Sequence, residues 1–327
     1  GNGVSIYIHL PFCEDLCTYC GCNTRITKNH KVEDPYITAV LKEWGMYKQL
    51  LGDTAVKISE IHLGGGTPTF FQPANLERLI TGILDGNTCA EDASFSFEAH
   101  PANTTESHLK TLYRLGFRRL SLGIQDFDAK VQFVINRLQT VEDVERVVAQ
   151  ARAIGYTSIN FDLIYGLPFQ TESTITETID KALEMQPDRI SFYSYAHVPW
   201  IKPGQRRFTE MDLPEGESKL RLYKLGKQMI GQEGYEDVGM DHFARPDDEL
   251  FLASRAGRLH RNFMGYADRY TPLMIGLGVS SISDAWTGFA QNVKTVEEYH
   301  RLIAEGKLPV VKGHLLTGED EILRRYI

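Results

Sequence analysis

Short runs in which apolar, often β-branched or aromatic, residues alternate with polar ones recur along the chain, each followed by a longer stretch with apolar positions at helical spacing. SIYIHLP reads as the first strand and VEDPYITAVLKEWGMYKQLL as the first amphipathic helix. ISEIHLGGG is a strand ending in glycines, followed by the helix NLERLITGIL. SFSFEAHP leads to the helix ESHLKTLYRLGF, closed by Gly116. RRLSLGIQDF leads to TVEDVERVVAQARAIGY, with Thr140 as its N-cap and Gly155 at its end. SINFDLIYGLP precedes TESTITETIDKALEMQ, and RISFYSYA precedes EGESKLRLYKLGKQMIGQEGY, which runs on into EDVGMDHF.

A strand and a helix repeated every ~30–40 residues imply parallel strands joined by right-handed crossovers. An open doubly wound sheet and a full or partial β/α barrel both satisfy this. The strand ends decide between them. They carry His9, Gly64 to Thr67, Glu98, Gln125 and Asp126, Asp162, Tyr195 and His197, and Asp241 and His242. Any one of these is explained by ordinary loop capping. Six successive strands ending so favour a ring that faces one central site, because barrels gather their chemistry at the C-terminal strand ends. The proline-rich stretch 197–217 interrupts the rhythm and reads as a lid or a wrapping loop. After residue 243 the pattern changes to a polar helix, PDDELFLASRAGRLH, an aromatic loop, RNFMGYADRYTP, the stretch LMIGLGVSSIS and, at EDEILRRYI, the start of a helix. The expected organisation is a core over 1–243 and an extension over 244–327.

The 327 residues, 42% hydrophobic and 24% charged, are ample for a large α/β core. A net charge of -8 argues against a nucleic-acid partner. No apolar run reaches the ~18 residues of a membrane span. No signal peptide is visible, so a cytoplasmic location is expected, where thiols stay reduced.

That matters for PFCEDLCTYCGCN, residues 11–23, which holds four of the five cysteines at C-x3-C-x2-C-x-C spacing. Compartment and crowding disfavour disulfides. Structural zinc wants a second ligand pair, which only histidines could supply. A redox CxxC leaves Cys13 unexplained. An iron–sulfur cluster fits such spacings, and three thiolates would leave one iron of a 4Fe-4S cluster open.

CEDLCTYC, with an aromatic residue before its third cysteine, together with GGGTPT after the second strand, is similar to the radical S-adenosylmethionine (SAM) superfamily. YIHLPFC, CGCN, HLGGGTPT, LSLGIQDF, NFDLIYGLP, YAHVPW, GMDHFARPDDEL, LHRNFMGY and GLGVSSIS, in that order from Tyr7 to the end, resemble the oxygen-independent coproporphyrinogen III oxidase family. Heme-chaperone relatives share the first part and generally lack the extra cysteine of CGC and the later blocks.

The resemblance implies a partial (β/α)6 barrel, extended at its C-terminal side by further strands and helices. It implies a 4Fe-4S cluster on Cys13, Cys17 and Cys20, with SAM chelating the open iron. Gly64, Gly65 and Thr67 match the segment that contacts the SAM amino group. Glu98, Gln125, Arg137 and Asp162 match polar positions around SAM, although each taken singly could form a structural salt bridge. The family binds a second SAM, and Tyr7, Ile164, Ala196, Phe263 and Ile282 fall on positions lining these sites. Tyr7 and Glu98 are the expected catalytic positions. Cys22 reads as a family marker near the cluster, not a ligand, and Cys89 as a bystander.

The implied reaction turns two propionates of coproporphyrinogen III into vinyl groups. A 5'-deoxyadenosyl radical takes a β-hydrogen, then carbon dioxide and an electron leave. Flavodoxin or ferredoxin would be the electron donor, and the protein a monomer. Arg25, Lys202, Arg245 and Arg261 are candidate anchors for propionates.

Two departures stand out. Met264 occupies a position that is often glutamine in the family, which bears on the second SAM. The helical C-terminal domain and N-terminal extension of the family are not seen, so the chain reads as a catalytic barrel excised from a longer protein. Two other functions stay open: a heme-opening or methylating radical-SAM enzyme, and a heme chaperone that kept its cluster and binds heme through His9, His197, His242 or His260.

Overall fold

A computed structural model describes residues 3–52 and 54–324. The six alternating runs form six strands: β1 (Val4–Leu10), β2 (Lys57–Gly65), β3 (Thr88–Ala99), β4 (Phe117–Gln125), β5 (Ser158–Tyr165) and β6 (Arg189–Ser194). They pair in chain order, all parallel. The crossovers carry α1 (Glu33–Leu50), α2 (Pro73–Leu84), α3 (Glu106–Arg114), α4 (Ala129–Ile135), α5 (Val141–Ile154) and α6 (Glu172–Glu184), and α7 (Gly216–Gln232) follows β6. The partial barrel anticipated from the sequence is therefore met. At α5 the local signals act as read. Thr140 accepts from the Asp143 N–H in a capping box, and Gly155 ends the helix at φ +114. Helix α4 is an addition that the alternation did not reveal, being seven residues long.

Two short antiparallel strands, β7 (Glu236–Gly239) and β8 (His242–Ala244), extend the sheet beyond β6. On the other side β9 (Met274–Leu277) runs parallel to β1. It is followed by antiparallel β10 (Ile282–Asp284), β11 (Gly288–Asn292) and β12 (Val310–Leu315). One twelve-stranded sheet results. The polar helix expected over 246–260 is confined to α8 (Glu249–Arg255), because the chain turns at Ala256 and Gly257. The aromatic loop beyond it is partly a hairpin, His260–Asn262 against Gly265–Ala267. The last expected helix runs Gly318–Arg324, and its final three residues lie outside the described ones.

Strand alternation sorts the side chains into two sets. Ile6, Ile8, Ile61, Leu63, Phe97, Leu120, Leu122, Ile159 and Phe161 face outward and are buried under Leu76, Leu79, Leu112, Val144 and Val147 of the helices. The inward set is different: Ser5, Tyr7 and His9; Glu60 and His62; Ser96 and Glu98; Arg119 and Ser121; Asn160 and Asp162; Arg189 and Ser191. Closed barrels commonly fill their centre with bulky branched side chains. Here small hydroxyls and charged groups leave it open.

Candidate functional site

The cavity has a volume of about 1790 Å³. That exceeds the ~300–1,000 Å³ of a site for one small ligand and leaves room for a cofactor and a substrate together. Cys13, Cys17, Cys20 and Cys22 lie on its wall.

The cysteine loop is held from three sides. Below it, the Gly66 and Thr67 N–H groups donate to the carbonyls of Leu10 (2.8 Å) and Phe12 (3.0 Å), and Thr67 Oγ1 lies 3.3 Å from Cys13 Sγ. These contacts explain the glycines at the end of β2. A side chain at Gly66 would meet the Pro11 carbonyl at 2.7 Å, and one at Gly65, which has φ +113, would meet the His9 ring at 2.6 Å. Beside the loop, the last carbonyls of α4 accept from Thr18: its N–H reaches Ile135 O at 2.8 Å and its hydroxyl Val134 O at 3.0 Å. Asn136, in the left-handed region, returns a bond to Leu16 O. On the third side lies the stretch 197–217, folded into two 3-10 turns, Pro203–Arg207 and Glu210–Asp212. Gln205 donates to the carbonyls of Tyr19 and Ala196, and Lys202 Nζ to that of Cys22. Of the two readings of this stretch, the wrapping loop is the one found.

Arg137 follows α4. Its Nε donates to Gly123 O at 3.2 Å, and Nη1 lies 3.8 Å from Cys17 Sγ. Buried Asp126 anchors this segment, accepting from Gln170 Nε2 (2.6 Å) and Thr178 Oγ1 (2.9 Å). Burial pushes the Asp126 carboxyl up to about 6.

Tyr7 packs edge-on against Phe263, 5.0 Å between ring centres, and its hydroxyl lies 3.1 Å from His9 Nδ1. Glu98 accepts from the Gly65 N–H at 3.2 Å and lies 3.5 Å from His62 Nε2. Burial raises the Glu98 carboxyl, but the bonds and charge of His62 and the Gly65 amide outweigh it and hold the group below its ordinary value. Asp162 accepts from Ser121 (2.9 Å) and Asn160 (2.9 Å), yet burial, then the charge of Glu98, pushes it up to about 6.

Among the residues expected at the site, Tyr7, Gly65, Thr67, Glu98, Gln125, Arg137, Asp162, Phe263 and Ile282 line this cavity with Cys13, Cys17 and Cys20. Gly64, Ile164 and Ala196 are not on its wall. Gly64 backs onto Glu98 and Tyr7, Ile164 is buried against Val131, Leu167 and Tyr195, and Ala196 bonds Gln205 through its carbonyl. Met264 is on the wall and half-exposed. Of the four candidate anchors only Lys202 reaches the cavity. Arg25 pairs with Glu297, Arg245 stands over the Tyr235 ring, and Arg261 reaches Met240. Sequence reasoning missed His62, Arg119 and Arg189. Their signal was the inward parity of each strand, which put them on one face with Ser5, Ser96 and Asn160.

The donor set fits a 4Fe-4S cluster. Among the described residues no group of three or more His, Cys, Asp or Glu is arranged to hold a single metal ion. Three thiols around one rim instead suit a cubane in which each takes its own iron. Metal ligation needs thiolates. Cys20 is already pulled down to about 6 by the hydrogen bond from Cys22, whose N–H also lies 3.4 Å from its sulfur. Burial pushes Cys13 up to about 11, and raises Cys17 against the pull of Arg137. Cys22 is exposed and Cys89 stands apart on an exposed stretch of β3.

Residues 7–182 match the family model described as the radical SAM superfamily. Over 324 residues the chain is 39% identical to the oxygen-independent coproporphyrinogen III oxidase of Synechocystis, spanning 99% of this chain and 69% of that one. It is 40% identical to the enzyme of that name from Salmonella typhimurium, over 99% and 70%. The solved structure of coproporphyrinogen III oxidase from Escherichia coli, described as a radical SAM enzyme, superposes with a TM-score of 0.95 at 40% identity, over 99% of this chain and 74% of that one. Identity along 99% of this chain and a superposable barrel agree with the three-thiol loop: the chain belongs to the radical SAM superfamily and, within it, to the oxygen-independent coproporphyrinogen III oxidase family.

Proposed function

We propose that this chain carries out oxygen-independent oxidative decarboxylation of coproporphyrinogen III, turning two propionates into vinyl groups in heme biosynthesis. The observation that carries this reading is that Cys13, Cys17 and Cys20 line one cavity together with Tyr7, Glu98 and Phe263. Cys13, Cys17 and Cys20 would hold the cluster. Bound together, the cluster and SAM supply one-electron reductive chemistry able to take hydrogen from an unactivated carbon.

The chain's own residues supply placement. Gly65 and Thr67, which line the cavity beside the cysteine loop, would face the amino group of SAM, and Arg137 keeps a positive charge beside the thiolates. Glu98, kept anionic and oriented by Gly65 and His62, accepts hydroxyl or amino protons. Asp162, protonated below about pH 6, changes from donor to acceptor as pH rises through that value. Tyr7 and Phe263 form an apolar corner against which a flat or sulfonium-bearing ligand packs. A second SAM in this corner, near Ile282, is part of the proposal. So are the division into a core over 1–243 and an extension over 244–327, a flavodoxin or ferredoxin donor, a monomeric state and a cytoplasmic location. Among the described residues no helix is long and apolar enough to cross a membrane.

Coproporphyrinogen III deuterated at its propionate β-carbons tests the reading. Deuterium should be recovered in 5'-deoxyadenosine. Deoxyadenosine that forms without deuterium would refute it.

A further inference from the structure

Beneath the site just described, the cavity continues to the N-terminal half of the barrel. Two guanidinium groups lie at this floor. Arg119 of β4 pairs in register with Ser158 of β5, and Arg189 of β6 with Asn160, so the two flank the same strand one inward step apart. Arg189 lies two residues below Ser191, which pairs with Asp162, so its backbone is about 7 Å deeper than that of Asp162. Both side chains line the cavity.

Their acidic partners approach from elsewhere. Asp268 Oδ2 lies 3.3 Å from Arg119 Nη1, and Asp248 engages Arg189 through Nε alone, at 2.8 and 2.9 Å. Neither aspartate lines the cavity. Arg189 Nη2 is buried with no acceptor, an arrangement that costs stability wherever it persists. Glu60 also lines the floor, but its carboxylate accepts from the Ser5 hydroxyl. Glu249 faces the same group of charges without lining the cavity. Serines and Asn160 line the way up to Asp162. A floor that served packing alone would use bulky apolar side chains. This one places a guanidinium donor without a partner, Arg189 Nη2, among the polar side chains at the deep end of the cavity.

We propose that Arg119 and Arg189 form a carboxylate-binding site at the cavity floor that takes one propionate arm of the tetrapyrrole. The proposal rests on the substrate reading above. It assigns to the barrel interior the anchoring that Arg25, Arg245 and Arg261 do not provide. A guanidinium suits this task, since it offers five N–H donors in a fixed plane and recognises carboxylates in a paired geometry.

The test is a fluorescence titration of the cluster-free protein with coproporphyrin III, the stable oxidised form that keeps all four propionates. Arg119→Gln and Arg189→Gln should each weaken binding about tenfold. Asp248→Asn, which alters the same ion pair from outside the cavity, should leave affinity within twofold. The tetramethyl ester should not distinguish wild type from the arginine variants. If Arg189→Gln does not fold, Arg189→Lys is read in its place, with the same loss expected, because it keeps a charge but loses the fork. Arginine variants that bind as wild type does, or an Asp248→Asn variant that loses as much as Arg189→Gln, would overturn the anchor alone. Loss of SAM binding with porphyrin binding intact would overturn the propionate assignment. A wild-type protein that binds no coproporphyrin III would overturn the substrate reading and the anchor with it.

Discussion

Arg137 Nη1 lies 3.8 Å from Cys17 Sγ, while Arg137 Nε donates to the Gly123 carbonyl. A strand end and a cluster-loop thiol are thereby tied through one buried guanidinium. Burial disfavours its charge, yet the neighbouring Tyr19, Cys17 and Cys20 more than compensate. A fixed positive charge beside sulfur favours the form with more electrons. Arg137→Gln should retain the iron and lower the midpoint potential of the reconstituted cluster by roughly 60 mV, the equivalent of ~1.4 kcal/mol for one electron. Redox titration followed by electron paramagnetic resonance measures it. An unchanged potential would show that the arginine only braces the loop.

The four clustered thiols should separate into two classes. Cys13→Ala, Cys17→Ala and Cys20→Ala should each abolish stable cluster incorporation. Cys22→Ala should keep wild-type iron and sulfide content, because Cys22 is exposed and its backbone N–H, retained in the variant, is the group placed 3.4 Å from Cys20 Sγ. Iron and acid-labile sulfide analysis after anaerobic reconstitution decides the matter.

The same loop makes a pH prediction for the cluster-free protein. Cys20 is lowered to about 6 and so is largely thiolate at pH 7. Cys13, raised to about 11, stays protonated there. Iodoacetamide at pH 7 should therefore label Cys20 well before Cys13, and the gap should narrow as pH rises toward 11. Peptide mass spectrometry of a time course reads this directly. Equal labelling of the two at pH 7 would contradict it.

Buried Glu43 accepts from Tyr299 Oη (2.6 Å), Asn292 Nδ2 (2.7 Å) and Gly278 N (2.8 Å), pinning the turn that leads to Ile282. Burial pushes its carboxyl up to about 7. A group raised on folding contributes most below its unfolded value, and that contribution fades as pH rises through the folded one. Stability should thus carry a component that declines between about pH 4.5 and 7. Glu43→Gln should remove that component and cost about 2 kcal/mol, since its amide nitrogen would face one of three donors. Thermal melts across pH measure both effects.

Much of this architecture was legible in the sequence, and for a physical reason. Alternation in SIYIHLP or SFSFEAHP marks a strand with one apolar and one polar face, and the Thr140 and Gly155 signals mark helix ends without help from tertiary structure. The thiol spacing and the GGGT strand end are equally local. What was not legible depends on distant contacts. Arg119 and Arg189 are adjacent only because β4 and β6 flank β5. Helix α4 is too short to show a period, although its last carbonyls hold Thr18. Ile164 and Ala196 were expected on positions lining the SAM sites. They lie off the cavity because β5 turns its Ile164 side chain toward Val131 and Leu167, and because Ala196 leaves β6 into the wrapping loop. Periodicity beyond residue 243 was misleading too, since Ala256 and Gly257 stop a helix that the polar pattern alone would continue to His260.

The most direct measurement is of products. The chain is reconstituted anaerobically with its cluster, supplied with SAM, a low-potential reductant and coproporphyrinogen III, and the porphyrinogens are followed by mass spectrometry. The expected result is loss of two carboxyl groups as carbon dioxide, with a monovinyl intermediate preceding protoporphyrinogen IX and 5'-deoxyadenosine accumulating alongside. Deoxyadenosine with the substrate mass unchanged, or heme bound stoichiometrically without any cleavage of SAM, would contradict it.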